Sequence, residues 1–208
     1  MKLLAIVEKV SRKIAPGPAP SFNEAHVIKA LELIGKSRYV GRIRLSKELA
    51  LGEGTTRTLI KHLKKERIIQ SSRKGISFTK EGSKLFFELQ NKLSPVFEIP
   101  NSRLTLGRHN VAILVRDLAK AVGTGMEQRD IAIRSGASGA TTLIFTRNKL
   151  ALPSGEENLA ESMPDLHNKL VTQFKPNEND VIILGCGENE ISAEIGARMA
   201  AINLLRNK

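Results

Sequence analysis

The stretch "LSKELALGEGTTRTLIKHLKKERIIQSSRKGISFT" (residues 45–79) decides the fold of the first half of the chain. It holds two short helical patterns, a glycine turn and a basic hairpin, in that order. Ser46 stands where a residue can cap the short helix "KELAL", and Gly52 is expected to end that helix as a C-terminal glycine. The next helix is expected to open at Gly54 and to run to about Arg67.

The second of these helices separates apolar from basic residues. Its inward face consists of the Thr56 methyl group, Leu59, Ile60 and Leu63. At about 100° per residue, the opposite face consists of Arg57, Thr58, Lys61 and Lys65, with Lys64 at its edge. Two strand-like runs follow, "IIQSSR" and "ISFT", and Lys74-Gly75 is expected to form the tight turn between them. The run "KEGSKLFFELQNKL" then closes the unit as a helix.

Two further helices are predicted ahead of this stretch. Residues 2–14 place four apolar side chains on one helical stripe: Leu3, Val7, Val10 and Ile14. This stripe is expected to pack on the body of the protein or on a partner subunit. The run "APGPAP" (15–20) then forms a stiff connector. In "SFNEAHVIKALELIGKS", Ser21 and Glu24 have the spacing of a capping box, which predicts a helix of about four turns.

Helix, short helix, glycine turn, second helix, hairpin and helix: this order over residues 21–93 resembles a winged helix-turn-helix domain. The resemblance implies that "TTRTLIKHLKK" enters the major groove of DNA and that the hairpin touches the backbone or the minor groove. Arg57 is then placed to reach a guanine edge bidentately. The residues that the resemblance places at DNA are Arg42, Arg44, Ser46, Thr55, Thr56, Arg57, Lys61, Lys65, Arg73 and Lys74. The same fold also serves as a plain protein-interaction module.

Positive charge is concentrated in the first half of the 208 residues. Residues 1–100 hold 20 Lys and Arg against 9 Asp and Glu, a difference of +11, whereas residues 101–208 hold 13 against 12, a difference of +1. Such asymmetry favours a polyanion as the partner of one half only. Double-stranded DNA is favoured over RNA, because readers of single-stranded RNA stack bases on aromatic rings, and the chain has no Trp and one Tyr.

The cellular compartment follows from three observations. A single cysteine, Cys186, excludes an internal disulfide framework and fits a reducing compartment. The start "MKLLAIVEKV" resembles a signal peptide, but Glu8 and Lys9 interrupt its apolar run. No apolar run approaches the roughly 20 residues of a membrane helix. We therefore expect a cytoplasmic protein with no membrane partner.

The second half alternates strand-like and helix-like segments. Residues 94–110 are expected to form a linker, with a strand within it as the open alternative. The expected order after it is a strand at 111–115, a helix within 117–134, strands at 141–145 and 149–153, a helix near 156–174, a strand at 180–185 and a final helix at about 188–206. This alternation predicts a mixed α/β sandwich over residues 111–208. The fold class expected for the whole chain is α+β, in which a winged helix-turn-helix precedes that sandwich.

Two glycine stretches in this half are candidate anion sites. In "RSGASGATT", Gly136 and Gly139 free the backbone to form an anion-binding nest. The residues expected to bind an effector there are Arg129, Arg134, Gly136, Gly139, Thr141 and Thr142. In "ILGCGENEIS", Gly185 and Gly187 follow a strand and lead to a helix N-terminus, although two glutamates in the first turn would repel an anion. Tight turns between packed elements account equally well for both stretches, and the first is favoured because two arginines accompany it.

Patterns for catalysis are weak. The four histidines are scattered without the spacing of metal ligands: His26, His62, His109 and His167. Cys186 lies between two glycines at a strand end, where it is either an exposed thiolate or, as is commoner, a buried and inert thiol. We expect no metal and no cofactor, while a catalytic role of the second half stays open.

The stretch "EQRDIAIRSGASGATTL" makes the whole chain similar to archaeal proteins that join a winged helix to a poorly characterised α/β domain. This resemblance implies a transcription regulator, whose homodimer would place two recognition helices in successive major grooves. The C-terminal domain would bind a small anionic metabolite and change the spacing of the winged helices. Two alternatives are open: the C-terminal domain is an enzyme acting on a phosphorylated metabolite, or it is purely an oligomerisation module.

Overall fold

The structure is a computed structural model that describes residues 2–12, 20–155 and 158–207. The chain forms two compact units, Met1–Leu89 and Gln90–Lys208. The end of the predicted helix at 2–14 and the connector "APGPAP", apart from Pro20, lie outside the described residues. No helix of the described part is long and apolar enough to cross a membrane.

Unit 1 is built from helices and one hairpin. Its elements are α1 (Lys2–Ser11), α2 (Glu24–Lys36), α3 (Arg42–Leu49), α4 (Glu53–Lys65), β1 (Ile69–Ser72), β2 (Gly75–Phe78) and α5 (Lys80–Gln90). The predicted stripe of Leu3, Val7 and Val10 is buried. Helix α1 packs on α2 and α4 within this unit, so its apolar stripe is covered by the body of the protein.

The helix termini differ from the sequence prediction. The N-cap of α2 is Asn23, not Ser21, because the Asn23 amide oxygen accepts a hydrogen bond from the His26 backbone N–H at 3.3 Å. Helix α3 ends at Leu49, and its C-cap, Ala50, adopts a left-handed conformation with φ 51°. Gly52, expected to end α3, is instead the N-cap of α4. The connection between α3 and α4 is short, because only Leu51 lies between the C-cap of α3 and the N-cap of α4.

The hairpin forms as expected, with its turn one residue earlier. Ser72 pairs with Gly75, so the turn residues are Arg73 and Lys74, and Gly75 begins β2. Val40 exchanges two backbone hydrogen bonds with Ile76, both of 2.9 Å, and so forms a single antiparallel bridge with the hairpin. This contact ties β2, next to the turn, to the segment that leads into α3.

Unit 2 is a five-stranded sheet with helices. Its elements are β3 (Phe97–Glu98), β4 (His109–Val115), a 3₁₀ turn (Ala119–Ala121), α6 (Met126–Arg134), β5 (Gly139–Thr146), β6 (Lys149–Ala151), α7 (Leu159–Ser162), α8 (Pro164–Phe174), β7 (Val181–Gly187) and α9 (Glu190–Arg206). The strand order is β3-β4-β7-β5-β6, and every neighbouring pair is antiparallel. The expected α+β class is confirmed.

Helices cover both faces of this sheet. On one face lie α6 and α9, which also pack on each other. On the other face, α7 and α8 enclose an apolar core that includes Leu114, Leu143 and Ile182. All seven residues of the central strand β7 are buried, as expected for a strand covered on both faces.

Two predicted helices differ most from the structure, and the predicted linker contains a strand. The single helix expected near 156–174 is divided into α7 and α8, and Pro164 is the first residue of α8. Proline fits a first helical turn because it has no backbone N–H to place there. The helix expected within 117–134 is shorter and follows the 3₁₀ turn. Residues 94–110, expected as a linker with a strand as the open alternative, contribute β3 to the sheet.

Candidate nucleic-acid interface

Helix α4 places its basic side chains on one exposed face. Leu59 and Leu63 are each 1% exposed, which fixes the orientation of the helix on the core of unit 1. Arg57, Lys61 and Lys65 consequently lie on the exposed side. None of these three has an ion-pair partner among the described residues, so their charges are available to an external anion.

The two threonines at the start of α4 differ in accessibility. Thr55 is half-buried. Thr56 is 0% exposed, and its hydroxyl donates to the Gly52 carbonyl oxygen at 3.1 Å. The prediction that the Thr56 side chain contacts DNA is therefore wrong, because the inward position that buries its methyl group also uses its hydroxyl.

Helix α3 contributes two exposed arginines. It begins at Arg42, four residues earlier than the predicted cap at Ser46, so Arg42 and Arg44 belong to the helix itself. The Arg44 guanidinium lies 3.8 Å from the Glu48 carboxylate on the next turn. Ser46 lies inside the helix, half-buried, and donates its hydroxyl proton to the Leu51 carbonyl oxygen at 2.6 Å. That bond holds the end of α3 against the start of α4.

The tip of the hairpin is basic and exposed. Arg73 and Lys74 occupy the two turn positions, and neither side chain has a partner among the described residues. The Ser72 hydroxyl accepts the Lys74 backbone N–H at 3.2 Å and donates to the Gly75 carbonyl oxygen at 3.3 Å. These bonds define the turn and leave both cationic side chains at its tip.

One residue that positions α4 was missed in the sequence. His62 is only 9% exposed, and its Nδ1 lies 2.9 Å from the Val10 carbonyl oxygen. Its ring also meets Phe22 edge-on, with 6.0 Å between the ring centroids. His62 therefore attaches α1 to the back of α4. The pattern contained the clue, since His62 lies three residues after Leu59 on the inward face.

The glycine turn in unit 2 has a different geometry from the predicted nest. Gly136, with φ 93°, ends α6, and its N–H donates to the Ile133 carbonyl oxygen at 3.0 Å. The N–H groups of Ala137 and Ser138 donate to Ala132 and Cys186 at 3.1 and 2.8 Å. The first two of these three amides donate to carbonyl groups at the end of α6 and the third donates to β7, so all three are already bonded and form no anion nest in this structure.

The other effector residues do not converge on that turn. Arg129 and Arg134 are exposed on α6, whereas Gly139 is buried. The Thr141 hydroxyl donates to the Leu104 carbonyl oxygen at 2.8 Å. Thr142 is 3% exposed. A ligand at these residues stays a prediction.

The second glycine stretch and its cysteine lie inside the fold. Gly185 and Gly187 belong to β7 and do not follow it, and both are buried. A Cβ at Gly185 would lie 2.7 Å from the Ala193 carbonyl oxygen of α9, so glycine permits close packing of that helix. Cys186 is 1% exposed. Burial raises the pKa of its thiol. Hydrogen bonds with the backbone of Leu106 and Gly107 lower this pKa, but by less than burial raises it. Among the described residues, no group of His, Cys, Asp and Glu is arranged to hold a metal ion.

Comparison with known proteins assigns each half of the chain separately. Residues 26–93 match the CggR N-terminal DNA binding domain. Residues 106–204 match a domain of unknown function, DUF4443. Among curated proteins, none matches the chain.

A solved structure has a similar fold over most of the chain. The hypothetical protein PH0730 from Pyrococcus horikoshii OT3 is 26% identical in sequence, with a TM-score of 0.74. The match covers 90% of this chain and 95% of that one. Residues 26–93 are thus similar to a winged helix-turn-helix DNA-binding domain, and residues 106–204 are similar to the DUF4443 domain.

Proposed function

We propose that this protein is a cytoplasmic transcription regulator that binds double-stranded DNA as a homodimer. The observation that carries the proposal is the set of exposed cations on α3, α4 and the hairpin tip. In a winged helix these three elements face the same stretch of duplex. The match to a DNA-binding domain over residues 26–93 supports this assignment.

Each element has a distinct role in the proposed complex. Arg57, in the first half of α4, reads a guanine edge in the major groove. Arg42, Arg44, Lys61 and Lys65 contact phosphates and set the register of the protein on the duplex. Arg73 and Lys74 extend that contact to the neighbouring backbone or the minor groove. The bonded hydroxyls of Ser46 and Thr56 leave these two residues with a positioning role.

The C-terminal domain is proposed to bind a small anionic metabolite and to change the spacing of the two winged helices. Its half of the chain carries a net charge of +1, which does not favour a second polyanion site. Coupling requires that the ligand has different affinities for the two arrangements of the dimer. The proposal assigns this domain ligand binding and no turnover, so consumption of a bound ligand would contradict it.

Fluorescence anisotropy of the full chain tests the proposal. A labelled duplex from the upstream region of the protein's own gene is titrated, with scrambled duplex and single-stranded RNA as competitors at several salt concentrations. Binding that survives excess scrambled DNA is the expected result. Equal, salt-sensitive binding to all three nucleic acids would contradict the proposal, because it would show a basic surface without sequence recognition. Lys36→Ala and Lys84→Ala each remove an exposed positive charge of unit 1 outside the three elements. They are therefore controls for the loss of charge alone.

A further inference from the structure

Two buried polar side chains of unit 2 lack hydrogen-bond partners. Gln128 is 1% exposed and Thr142 is 3% exposed. Within the described residues, the Gln128 Nε2 and Oε1 atoms and the Thr142 hydroxyl oxygen have no hydrogen-bond partner. Buried amides and hydroxyls are nearly always paired, because desolvation without a partner costs free energy. Three such atoms in one region therefore require an explanation.

Both side chains lie at the start of α6. Gly125 precedes the helix with φ 83°, and a Cβ built there would lie 3.3 Å from the Thr142 Cβ and 3.5 Å from its hydroxyl oxygen. Thr142 thus lies against the residue that opens α6. Gln128 belongs to the first turn of the same helix, on the buried face that it shares with Ala132.

The first turn of α6 adds backbone donors to these side chains. The N–H groups of Met126, Glu127 and Gln128 have no partner within the helix, as in any helical first turn. Gly125 has no side chain, and no capping bond is made there. The partial positive charge of a helix N-terminus favours an anionic group at these donors. The glycine-containing segment "VGTG" (122–125) leads directly into this turn.

We propose that the N-terminus of α6, with Gln128 and Thr142, is the binding site of a small carboxylate that also carries a hydroxyl or ammonium group. The Thr142 hydroxyl, the Gln128 Nε2 and the helix amides donate to the carboxylate, and the Gln128 Oε1 accepts from the hydroxyl or ammonium. This inference rests on the proposed sensing function. It places the ligand site at the N-terminus of α6, whereas the Gly136 turn lies at the C-terminus of that helix.

The surroundings select a weakly charged ligand. Glu127, in the same turn, accepts a hydrogen bond from the Asn207 amide at 3.0 Å, and its negative charge opposes a phosphate dianion. The donors assigned to the carboxylate are neutral, which suits one carboxylate better than a phosphate. Because the polar atoms of Gln128 and Thr142 are closed from solvent and Gly125 lies against Thr142, entry of the ligand requires the start of α6 to move.

Thermal unfolding of the full chain with chosen probes tests the site. Glycolate, lactate, glycine and alanine are compared with acetate and inorganic phosphate at equal ionic strength. At least one of the first four is expected to raise Tm more than acetate does, and phosphate is expected to have no such effect. Absence of any shift with those four probes, or an equal shift with phosphate, would overturn the proposal.

Two variants give a second readout that a structural role would not produce. Gln128→Leu and Thr142→Val are expected to abolish the probe-induced shift and to raise the ligand-free Tm by about 2–6 °C, because they remove unpaired buried polar atoms. Ser135→Ala, at the other end of α6, is the control: it loses a hydroxyl that donates to the Ile131 carbonyl oxygen at 2.7 Å, and it should lower Tm while keeping the probe-induced shift. A lower Tm for both test variants would show that the two polar groups are structural and would contradict the site.

DNA binding separates failure of this inference from failure of the proposed function. In the absence of probe, Gln128→Leu should bind the upstream duplex as the natural chain does. If the duplex binds specifically and none of the probes shifts Tm, the site is wrong and the regulator stands. If a probe binds as expected but the duplex shows no specificity, the regulator is wrong and the site stands.

Discussion

Three basic side chains of unit 1 and one carboxylate of unit 2 differ in exposure and in pairing. On α4 of unit 1, Arg57, Lys61 and Lys65 are exposed and unpaired among the described residues. In unit 2, Asp180 is 2% exposed and accepts hydrogen bonds from Arg116 at 2.9 Å and from the backbone N–H groups of Asp117 and Asn177 at 2.9 and 2.8 Å. Charges in the first unit are available to a partner, whereas this carboxylate in the second is part of the fold.

This difference shows what net charge alone leaves open. A count of +11 against +1 locates the half that meets a polyanion. It does not say which cations act, because Lys2 and Lys9 also lie in the basic half and are paired with Glu81 and Glu66 at 2.6 and 2.8 Å. Exposure and the lack of an ion pair among the described residues describe Arg57, Lys61 and Lys65 on α4, but also Lys36 and Lys84, so the position of a cation in the fold is the third criterion.

The largest expected effect is on DNA affinity as a function of salt. If the exposed cations of two subunits neutralise phosphates, affinity for the duplex should fall by about 10³–10⁵ between 50 and 200 mM salt. Anisotropy titrations at four salt concentrations measure the slope. A slope near zero would show that the exposed, unpaired cations of unit 1 have no role in DNA binding. The contrast with the buried carboxylate of unit 2 would then have no functional meaning.

The second prediction concerns the buried carboxylate of unit 2. Asp180→Ala leaves the Arg116 guanidinium and two backbone N–H groups without their acceptor, and should lower the free energy of unfolding by about 3–5 kcal/mol. Urea unfolding followed by circular dichroism measures the loss. Glu161→Gln is the matched control, since its exposed pair with Lys149 should contribute about 0–1 kcal/mol. Equal effects of the two changes would show that Asp180 is not a structural centre.

The third prediction concerns the residue assigned to read a base. Arg57→Ala should weaken binding to the cognate duplex by about 1–3 kcal/mol and relax specificity at one position, because a bidentate contact to guanine is lost. Competition with single-base variants of the duplex locates that position. Unchanged affinity and unchanged sequence preference would show that α4 is not the recognition helix.

Much of this interface was predictable, because helical periodicity alone orients α4. Leu59 and Leu63 fix which side faces the core, and the exposed position of Arg57 follows from them. The fate of the hydroxyls was not predictable, since Ser46 and Thr56 use them on carbonyl groups whose positions depend on where α3 ends. That end was misassigned because Ala50, and not a glycine, adopts the left-handed conformation.

In unit 2 the strands and helices were predictable and the site was not. Alternation of apolar segments indicated the sheet, but the antiparallel pairing of β7 between β4 and β5 depends on long-range contacts that no local pattern contains. A glycine pair beside arginines suggested a nest at Gly136. Helix C-termini also favour glycine at that position, and the amides there are bonded to carbonyl groups. Gln128 gave no sign in the sequence, because its burial depends on how α6 packs.

The smallest predicted effects come from single phosphate contacts. Lys61→Ala and Lys74→Ala should each reduce the salt slope by about one unit per subunit and weaken binding by about fivefold per subunit at 0.15 M salt. Cognate and scrambled duplexes should be affected alike, because a phosphate carries no sequence information. Lys84→Ala on α5 should leave the slope unchanged, although it removes the same charge from the same unit. If all three variants reduced the slope equally, the net charge of unit 1, and not the face built by α4 and the hairpin tip, would determine DNA affinity.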